Sequence, residues 1–132
     1  MFLFGAAALL SGWPAFCAPQ TIKDVLKGTW SGKAVFEKGY HNVEDGEENM
    51  WSVNLPEGDF AKAGGSAFWP IKDGALRKFD AVAKALEFTL NVKARIRVFP
   101  IHCSAKLTEG GNTLEGTFNC IWGKGNFTLE KK

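Results

Sequence analysis

The segment Ile101–Trp122, IHCSAKLTEGGNTLEGTFNCIW, decides the fold, because it contains two alternating runs separated by a glycine-rich turn. The pair Gly111-Asn112 suits the positive φ angles of a two-residue hairpin turn. A turn at this position sets apolar residues opposite apolar ones, polar residues opposite polar ones, and Cys103 directly opposite Cys120. A slip of one residue would send every side chain to the other face. The segment therefore predicts an antiparallel hairpin in this register.

The two cysteines of the hairpin predict a disulfide bond. Directly opposite residues at a non-hydrogen-bonded position have Cα atoms about 4.5 Å apart, which is within disulfide reach. An even number of cysteines in a small exported domain is typical of such a bond. A catalytic Cys-His pair is not expected, because His102 and Cys103 are adjacent on a strand and point to opposite faces. We therefore expect Cys103 and Cys120 to be covalently linked.

Further alternating runs indicate strands on both sides of the hairpin, and the pair Asp73-Gly74 is a turn signal between two of them. Short strands with regularly spaced turn signals suggest a meander that closes into a small barrel. The predicted fold is all-β, a single small antiparallel meander barrel of about eight strands that forms one domain over residues 18–132. The runs are centred on Trp30 to Phe36, Trp51 to Leu55, Ser66 to Ile71, Leu86 to Val98, and Phe127 to Leu129.

Residues 75–86 leave two structures open. Apolar residues recur from Leu76 to Leu86 at three- and four-residue spacing, which is typical of a helix. A helix here would give an α+β fold, with the helix packed on a curved antiparallel sheet. Two short strands that turn near Ala83-Lys84 explain the same residues.

Residues 1–17 carry no charge and are mostly apolar. They end in Ala15-Phe16-Cys17, which sets small residues at both positions that a signal peptidase recognises in a cut after Cys17. The stretch is too short to span a membrane. It predicts a signal peptide and hence a secreted or periplasmic protein. A buried N-terminal strand or helix, and lipid attachment at Cys17, are the alternatives.

The charge balance and the motifs exclude several classes of function. The net charge of +2 lacks the basic excess of a nucleic-acid-binding protein, so no nucleic-acid partner is expected. The sequence contains no nucleophile elbow, phosphate-binding glycine loop or paired zinc-ligand spacing. His41 beside Glu44 and Asp45 is better explained by a solvated loop than by a metal site. We therefore expect neither an enzyme nor a cofactor or metal.

Two groups of residues are candidates for binding. Three basic residues follow one face of a predicted strand and are candidates to contact an anion, although a solvated strand face explains them better; they are Lys93, Arg95 and Arg97. Five aromatic residues would line a ligand pocket if the barrel is hollow, or fill the core if it is solid. They are Trp30, Trp51, Phe88, Phe118 and Trp122.

Both ends of the domain resemble those of a known class of barrel. Gly28-Thr29-Trp30 at the first strand, and the runs Leu114–Phe118 and Gly125–Leu129 at the last two, resemble the ends of calycin-type barrels, the lipocalin and avidin class. The resemblance implies a binding scaffold in which the Trp plugs one end of the barrel. It carries over no ligand-contacting residue and no particular ligand.

These observations together predict a non-enzymatic binding protein that is secreted or periplasmic. Its expected ligand is a small apolar molecule or a glycan. The alternative is an extracellular protein-interaction module, such as an enzyme inhibitor, that binds its partner protein through an exposed loop or the basic face around Arg95 and Arg97.

Overall fold

The computed structural model describes residues 18–40, 43–108 and 110–132, and for residues 18–21 only the backbone. Within these ranges the chain forms one α-helix and eight strands, with two short 3₁₀ turns, Pro56–Gly58 and Phe60–Lys62, between the second and third strands. The elements are α1 Ala18–Leu26, β1 Gly28–Gly39, β2 Glu48–Leu55, β3 Gly64–Ala67, β4 Trp69–Asp80, β5 Ala85–Ala94, β6 Arg97–Leu107, β7 Thr113–Cys120 and β8 Gly123–Lys131.

The strands form a closed antiparallel barrel in which each strand pairs with the next one along the chain. β1 pairs with β8 from Trp30 opposite Lys131 to Gly39 opposite Gly123, and this ladder closes the sheet on itself. The predicted all-β meander barrel of eight strands is therefore confirmed. The ladder between β3 and β4 is the shortest, with Ser66 opposite Pro70 as its outer pair.

The up-and-down order gives the barrel two different ends. One, here called the helix end, carries α1, the two 3₁₀ turns and the β4–β5 and β6–β7 connections. It is sealed by α1, whose Leu26 is buried and whose Leu26 carbonyl accepts a hydrogen bond of 2.8 Å from Trp30 Nε1. The other, here called the loop end, carries the β1–β2, β3–β4, β5–β6 and β7–β8 connections.

The helix considered for residues 75–86 does not form, because this segment contains the end of β4, a turn and the start of β5. Two bulges in β4, at Lys72 and Arg77, shift its register against β5. Some residues of β4 lie opposite inward-facing residues of β5, and because of the bulges these β4 residues are separated by two or three positions instead of always two. A three-residue interval also occurs in helices, so the bulges produce a helix-like pattern. The turn itself is held by Asp80, whose side chain accepts hydrogen bonds from the backbone of Val82 and Ala83.

The predicted turn at Asp73-Gly74 was wrong, because both residues lie inside β4 beside the first bulge. Gly74 occupies a position where an added Cβ would lie 3.1 Å from the carbonyl oxygen of Phe60 and closer still to that of Thr89. Asp73 accepts a hydrogen bond of 2.7 Å from Asn91 on the neighbouring strand. The pair thus marks a close approach of chains and a cross-strand contact.

The hairpin of β6 and β7 is present, but its register differs by two residues from the predicted one. Cys103 lies opposite Phe118, and the connection between Thr108 and Thr113 is four residues long. Gly111 has a positive φ of 74° whereas Asn112 does not, so the two-residue turn with two positive φ angles does not form. A two-residue shift leaves every side chain on its predicted face.

The shift separates the two cysteines, and both Cys103 and Cys120 are free thiols. Cys120 lies two positions along β7 from the direct partner of Cys103. Diagonal neighbours of this kind have Cα atoms about 7–8 Å apart, which exceeds the usual reach of a disulfide. The predicted disulfide bond is therefore corrected to two buried thiols.

The remaining two findings concern membranes and the N-terminal segment. Along the described part of the chain, no helix is long and apolar enough to cross a bilayer. The predicted signal peptide, residues 1–17, lies outside the described residues, as does His41.

The close packing of β1 against β8 predicts a large cost for a small substitution. An added Cβ at Gly125 would collide with the carbonyl oxygen of Val35, so we expect Gly125→Ala to lower the free energy of unfolding by about 1–3 kcal/mol. Gly64→Ala is the matched control, because nothing lies near its added Cβ, and it should change stability by less than about 0.5 kcal/mol. Urea denaturation of both variants checks this, and equal losses would contradict the packing.

Candidate binding site at the loop end of the barrel

Four of the five aromatic residues predicted to bind a ligand are buried in the barrel, and the fifth lies at its loop end. Trp30, Trp51, Phe88 and Phe118 are each at most 2 % exposed. Trp122 lies in the β7–β8 turn, half-buried against the core. The structure therefore does not bring all five together in one site.

A continuous series of ring contacts, here called the aromatic column, runs through the barrel. Phe68 lies 5.3 Å from Trp51 between ring centroids, Trp51 lies 5.2 Å from Phe127, and Phe88 lies 4.6 Å from Phe60. These are contact distances for aromatic pairs. The rings therefore fill the space between them, as the solid-core alternative expects. From the loop end to the helix end the column consists of Trp122, Phe68, Trp51, Phe127, Phe88 and Phe60.

A cleft of about 560 Å³ lies at the loop end, above the aromatic column. Its walls come from all four loop-end connections: Val43 belongs to the β1–β2 loop, Trp69 follows the β3–β4 corner, Ile96 belongs to the β5–β6 turn, and Ile121 and Trp122 form the β7–β8 turn. Phe99 also lines it and lies 5.3 Å from the Trp122 ring. The volume is in the range of small-molecule sites, which is about 300–1,000 Å³.

Two of the three predicted anion contacts line this cleft. Arg95 and Arg97 contribute to its wall, whereas Lys93 does not. The three were predicted on one face of a continuous strand, and that arrangement was wrong, because β5 ends at Ala94 and β6 begins at Arg97. Arg95 and Ile96 form the turn between them, so Ile96 is 91 % exposed and does not point inward.

The charges around the cleft favour an anion. Arg95 and Arg97 are exposed, and neither forms an ion pair with a described acidic side chain. No acidic residue lines the cleft. Asp45, in the β1–β2 loop at the same end, is engaged by the backbone N–H of Gly39 and lies 4.0 Å from the Lys38 ammonium. The two guanidinium groups therefore face solvent without local neutralisation.

Two of the four non-glycine residues with a positive φ in the described part of the chain lie near the cleft, and the other two, Glu57 and Lys84, lie at the helix end. Phe68, at the corner between β3 and β4, has a φ of 70°, and Arg95 has a φ of 61°. An aromatic residue with a positive φ is uncommon, and such a conformation costs on the order of 1–3 kcal/mol. Arg95 occupies the first position of a two-residue turn, where glycine is preferred. Strain of this kind persists only where surrounding contacts maintain it.

Two buried hydrogen-bond donors lie below Phe68 without partners. Neither Asn49 Nδ2 nor Trp51 Nε1 has a hydrogen-bond acceptor among the described residues. The two residues are two positions apart on β2, so their side chains lie on the same inward face. Trp30 provides the contrast, because its Nε1 donates to the Leu26 carbonyl. An unpaired buried donor costs about 1–3 kcal/mol.

The outer wall contains a polar group that is fully satisfied. Thr89 is 2 % exposed, and its hydroxyl lies 3.3 Å from Arg77 Nε and 3.4 Å from His102 Nδ1. The hydroxyl accepts from the guanidinium, and the tautomer of His102 decides which of the two groups donates in its contact with the imidazole. The same imidazole lines a surface cavity of about 430 Å³ whose wall also includes Glu37, Glu87 and Lys124.

The two thiols also differ from reactive cysteines. Burial raises the pKa of Cys103 far above its ordinary value, and the nearby Cys120 adds to the rise. Burial likewise raises the pKa of Cys120, and hydrogen bonds to the backbone of Trp122 and Gly123 oppose it. Both groups therefore remain thiols near neutral pH, whereas a nucleophilic cysteine needs a lowered pKa.

The described residues also lack a cluster of three or more His, Cys, Asp or Glu side chains that could bind a metal ion. Comparisons with protein-family models, curated proteins and solved structures gave no significant match.

Sequence reasoning missed Phe68 and Asn49. Phe68 lies inside the run Ser66 to Ile71 that was predicted as one strand; that prediction was wrong, because the structure divides the run into β3 and β4 at Phe68. The residue gives no local turn signal, since turns with a positive φ favour glycine or asparagine. Asn49 lies beside the acidic run of the β1–β2 loop and was assigned to the loop. It lies two residues before Trp51, in phase with Trp51 and Val53, and this spacing is the one feature of the sequence that predicts an inward-facing side chain.

The buried thiol of Cys103 predicts a loss of stability in alkaline solution. Below its ordinary pKa of 9.0 both states keep the proton, and above it the unfolded state loses the proton first, so the free energy of unfolding falls as pH rises. We expect urea denaturation between about pH 8 and pH 10.5 to show a steeper fall for the native sequence than for Cys103→Ala. Equal slopes would show that the thiol is not protected in the folded state.

The unpaired amide of Asn49 predicts an unusual response to substitution. Asn49→Leu removes a buried donor without a partner, so we expect the free energy of unfolding to stay unchanged or rise by up to about 1 kcal/mol. Thr89→Val, the control, removes a satisfied hydroxyl and should lower it by about 0.5–1.5 kcal/mol. Urea denaturation compares them, and a larger loss in Asn49→Leu than in Thr89→Val would mean that the amide has a partner.

Proposed function

We propose that this protein is a non-enzymatic binding protein that holds a small amphipathic anion in the loop-end cleft. The observation that supports it is the combination, in one cleft of about 560 Å³, of an apolar wall with two guanidinium groups that have no acidic neighbour in the cleft. The ligand class is a molecule with an apolar body and one carboxylate, sulfonate or phosphate group.

The apolar wall supports this ligand class over a small inorganic ion. Trp122, Phe99 and Ile121 offer a surface that an inorganic anion would leave exposed to water. An apolar body that covers this surface gains about 25 cal/mol for each Å² removed from water. The aromatic column beneath is already packed, so the proposed ligand rests at the mouth of the barrel and does not replace the core.

The two arginines support an anionic end group. Arginine presents planar N–H donors that match the oxygen atoms of a carboxylate or phosphate. Arg95 is fixed by the turn and Arg97 begins β6, so both are attached to backbone that the β5–β6 ladder holds in place. An acidic glycan would use the same two residues, but the apolar wall favours a ligand with a larger apolar body.

A second candidate is a protein-interaction module that docks through the β5–β6 turn. Ile96 at its tip is almost fully exposed and is flanked by Arg95 and Arg97. An apolar anchor with arginine neighbours is typical of the centre of a protein interface. Tighter binding of a charged than of a neutral small molecule within the cleft distinguishes the first candidate from this one.

The place of action is a proposal of the same kind. The uncharged segment before Ala18 supports export to the periplasm or the cell exterior. The similarity of the strand ends to calycin-type barrels supports a binding role by analogy of fold. Both are compatible with a protein that samples small molecules outside the cytoplasm.

A matched pair of fluorescent probes tests the proposed function. Anilinonaphthalene sulfonate carries an apolar body and one anionic group, and phenylnaphthylamine is the same body without the sulfonate. We expect the sulfonate probe to bind more tightly to the native protein, and Arg95→Gln and Arg97→Gln each to weaken it about three- to tenfold. Fluorescence titration at low ionic strength measures these affinities.

Lys93→Gln is the control, because Lys93 carries the same charge on the same hairpin but lies outside the cleft. It should change the affinity for the sulfonate probe by less than about twofold. Ile96→Ser tests the rival function; because Ile96 also lines the cleft, it should weaken the charged and the neutral probe alike and leave the ratio of their affinities unchanged. Equal affinity for the charged and the neutral probe would refute the proposal.

A further inference from the structure

We infer that the upper part of the barrel interior is a second binding site, closed by Phe68, for a small uncharged planar molecule with a carbonyl-type oxygen. The two unpaired donors, Asn49 Nδ2 and Trp51 Nε1, would bind that oxygen. This site is distinct from the loop-end cleft and does not depend on the cleft binding a ligand.

The donors carry the inference because their position has no structural explanation within the described residues. Trp51 is 1 % exposed, and its ring is in contact with Phe68, Phe118 and Phe127. Buried N–H groups in folded proteins almost always have an acceptor, and an exception calls for a function or a bound molecule. Because the two residues are two positions apart on one face of β2, we assign both donors to one acceptor.

Phe68 is the side chain that occupies this part of the interior and separates the two donors from the loop end. Its ring stacks on Phe36 at 4.9 Å, lies 5.5 Å from Phe118, and lies 6.1 Å from Trp122 in the loop-end turn. It is half-buried, so one side of it already faces the loop end. Outward rotation of this one ring would connect the donors to the solvent.

The corner that carries Phe68 is weakly held, which makes such a rotation inexpensive. β3 is four residues long, its ladder with β4 ends at Ala67 opposite Trp69, and the partner of Ser66 is Pro70, which has no N–H to donate. The strained φ of 70° at Phe68 also favours movement away from the closed state. Segments with few backbone hydrogen bonds open at low free energy.

The chemistry of the interior selects the ligand. Among the described residues, Thr89 is the only polar or charged residue that is almost fully buried, and it belongs to the outer wall. An anion inside would therefore have no cation to compensate it, and burial of such a charge is prohibitive. The space released by Phe68 is about one aromatic ring, comparable to a cavity of roughly 150 Å³ that holds benzene. An uncharged ring with one oxygen acceptor satisfies both limits.

Two isosteric probes test the inference, acetophenone and alpha-methylstyrene, which differ by an oxygen in place of a methylene group. Titration of ¹⁵N-labelled native protein should move the indole N–H resonance of Trp51 downfield with acetophenone and much less with alpha-methylstyrene. The indole of Trp30, already hydrogen-bonded, should stay in place. We expect acetophenone to bind at least about fivefold more tightly, the effect of one added hydrogen bond.

Three variants complete the experiment. Asn49→Leu removes one donor and should reduce the preference for acetophenone to about twofold or less. Phe68→Ala removes the closing ring and should raise the affinity for acetophenone at least about fivefold. The reason is that the open state, which in the native protein requires outward rotation of the Phe68 ring, no longer has to form before the probe binds. Phe99→Ala is the control: it removes a ring at the same end that contacts Trp122, and it should leave the affinity unchanged.

The outcomes separate the inference from its rivals. Equal shifts of the Trp51 indole with both probes, or none with either, overturn it, as does a water molecule that stays bound to that indole when the probe is added. If Phe68→Ala fails to fold, the probe pair on the native protein and on Asn49→Leu still decides. Arg95→Gln should not alter acetophenone binding, because Arg95 belongs to the cleft. A negative result for the interior site therefore does not contradict the proposed anion site in the cleft.

Discussion

The contact between aromatic rings inside the barrel is the interaction on which the rest of this structure depends. An eight-stranded barrel has an interior just wide enough to be filled by side chains. Here large rings project inward from β2 and β8, and the positions opposite them on β1 are Gly32 and Ala34. The glycines are therefore as much a part of the core as the rings, since a Cβ at Gly32 would collide with the carbonyl oxygen of Thr128. This complementarity fixes the register of the β1–β8 ladder and so the closure of the sheet.

The ring packing also makes the two ends of the barrel unequal. At the helix end the buried indole of Trp30 has a partner, the Leu26 carbonyl. At the loop end the packing stops at Phe68 and Trp122, both half-buried. The strained backbone of Phe68 and Arg95, the unpaired donors and the unneutralised arginines all lie toward this end. Glu57 and Lys84 at the helix end also have a positive φ, so the features that distinguish the loop end and point to function there are the unpaired donors and the arginines without an ion-pair partner.

The sequence predicted the class of fold because strand alternation survives in most of the chain. β2, β7 and β8 alternate cleanly, and their inward residues are those of the core. It failed where backbone geometry altered the period. The bulges at Lys72 and Arg77 produce a spacing of apolar residues that resembles a helix. The hairpin turn at Arg95 divides the alternating run from Leu86 to Val98, which alternation alone predicts as one strand. The register of the β6–β7 hairpin failed for a related reason: the pairing of faces is the same after a two-residue shift, so only the turn geometry decides it.

The candidate sites were harder to predict because they depend on which side chains lack a partner. The abundance of aromatic residues predicts a core, and in the structure most of the predicted ligand-binding aromatics are buried in that core. Asn49 and Phe68 attract no attention in the sequence, since an asparagine near a loop and a phenylalanine near a strand end are ordinary. Their significance appears only when the closed sheet sets the amide among apolar groups and bends the chain at the ring. A protein selected for stability alone would replace that asparagine with leucine and that corner with glycine. Both lie at the end of the barrel that the helix does not seal, and this is the reason to seek the ligand there.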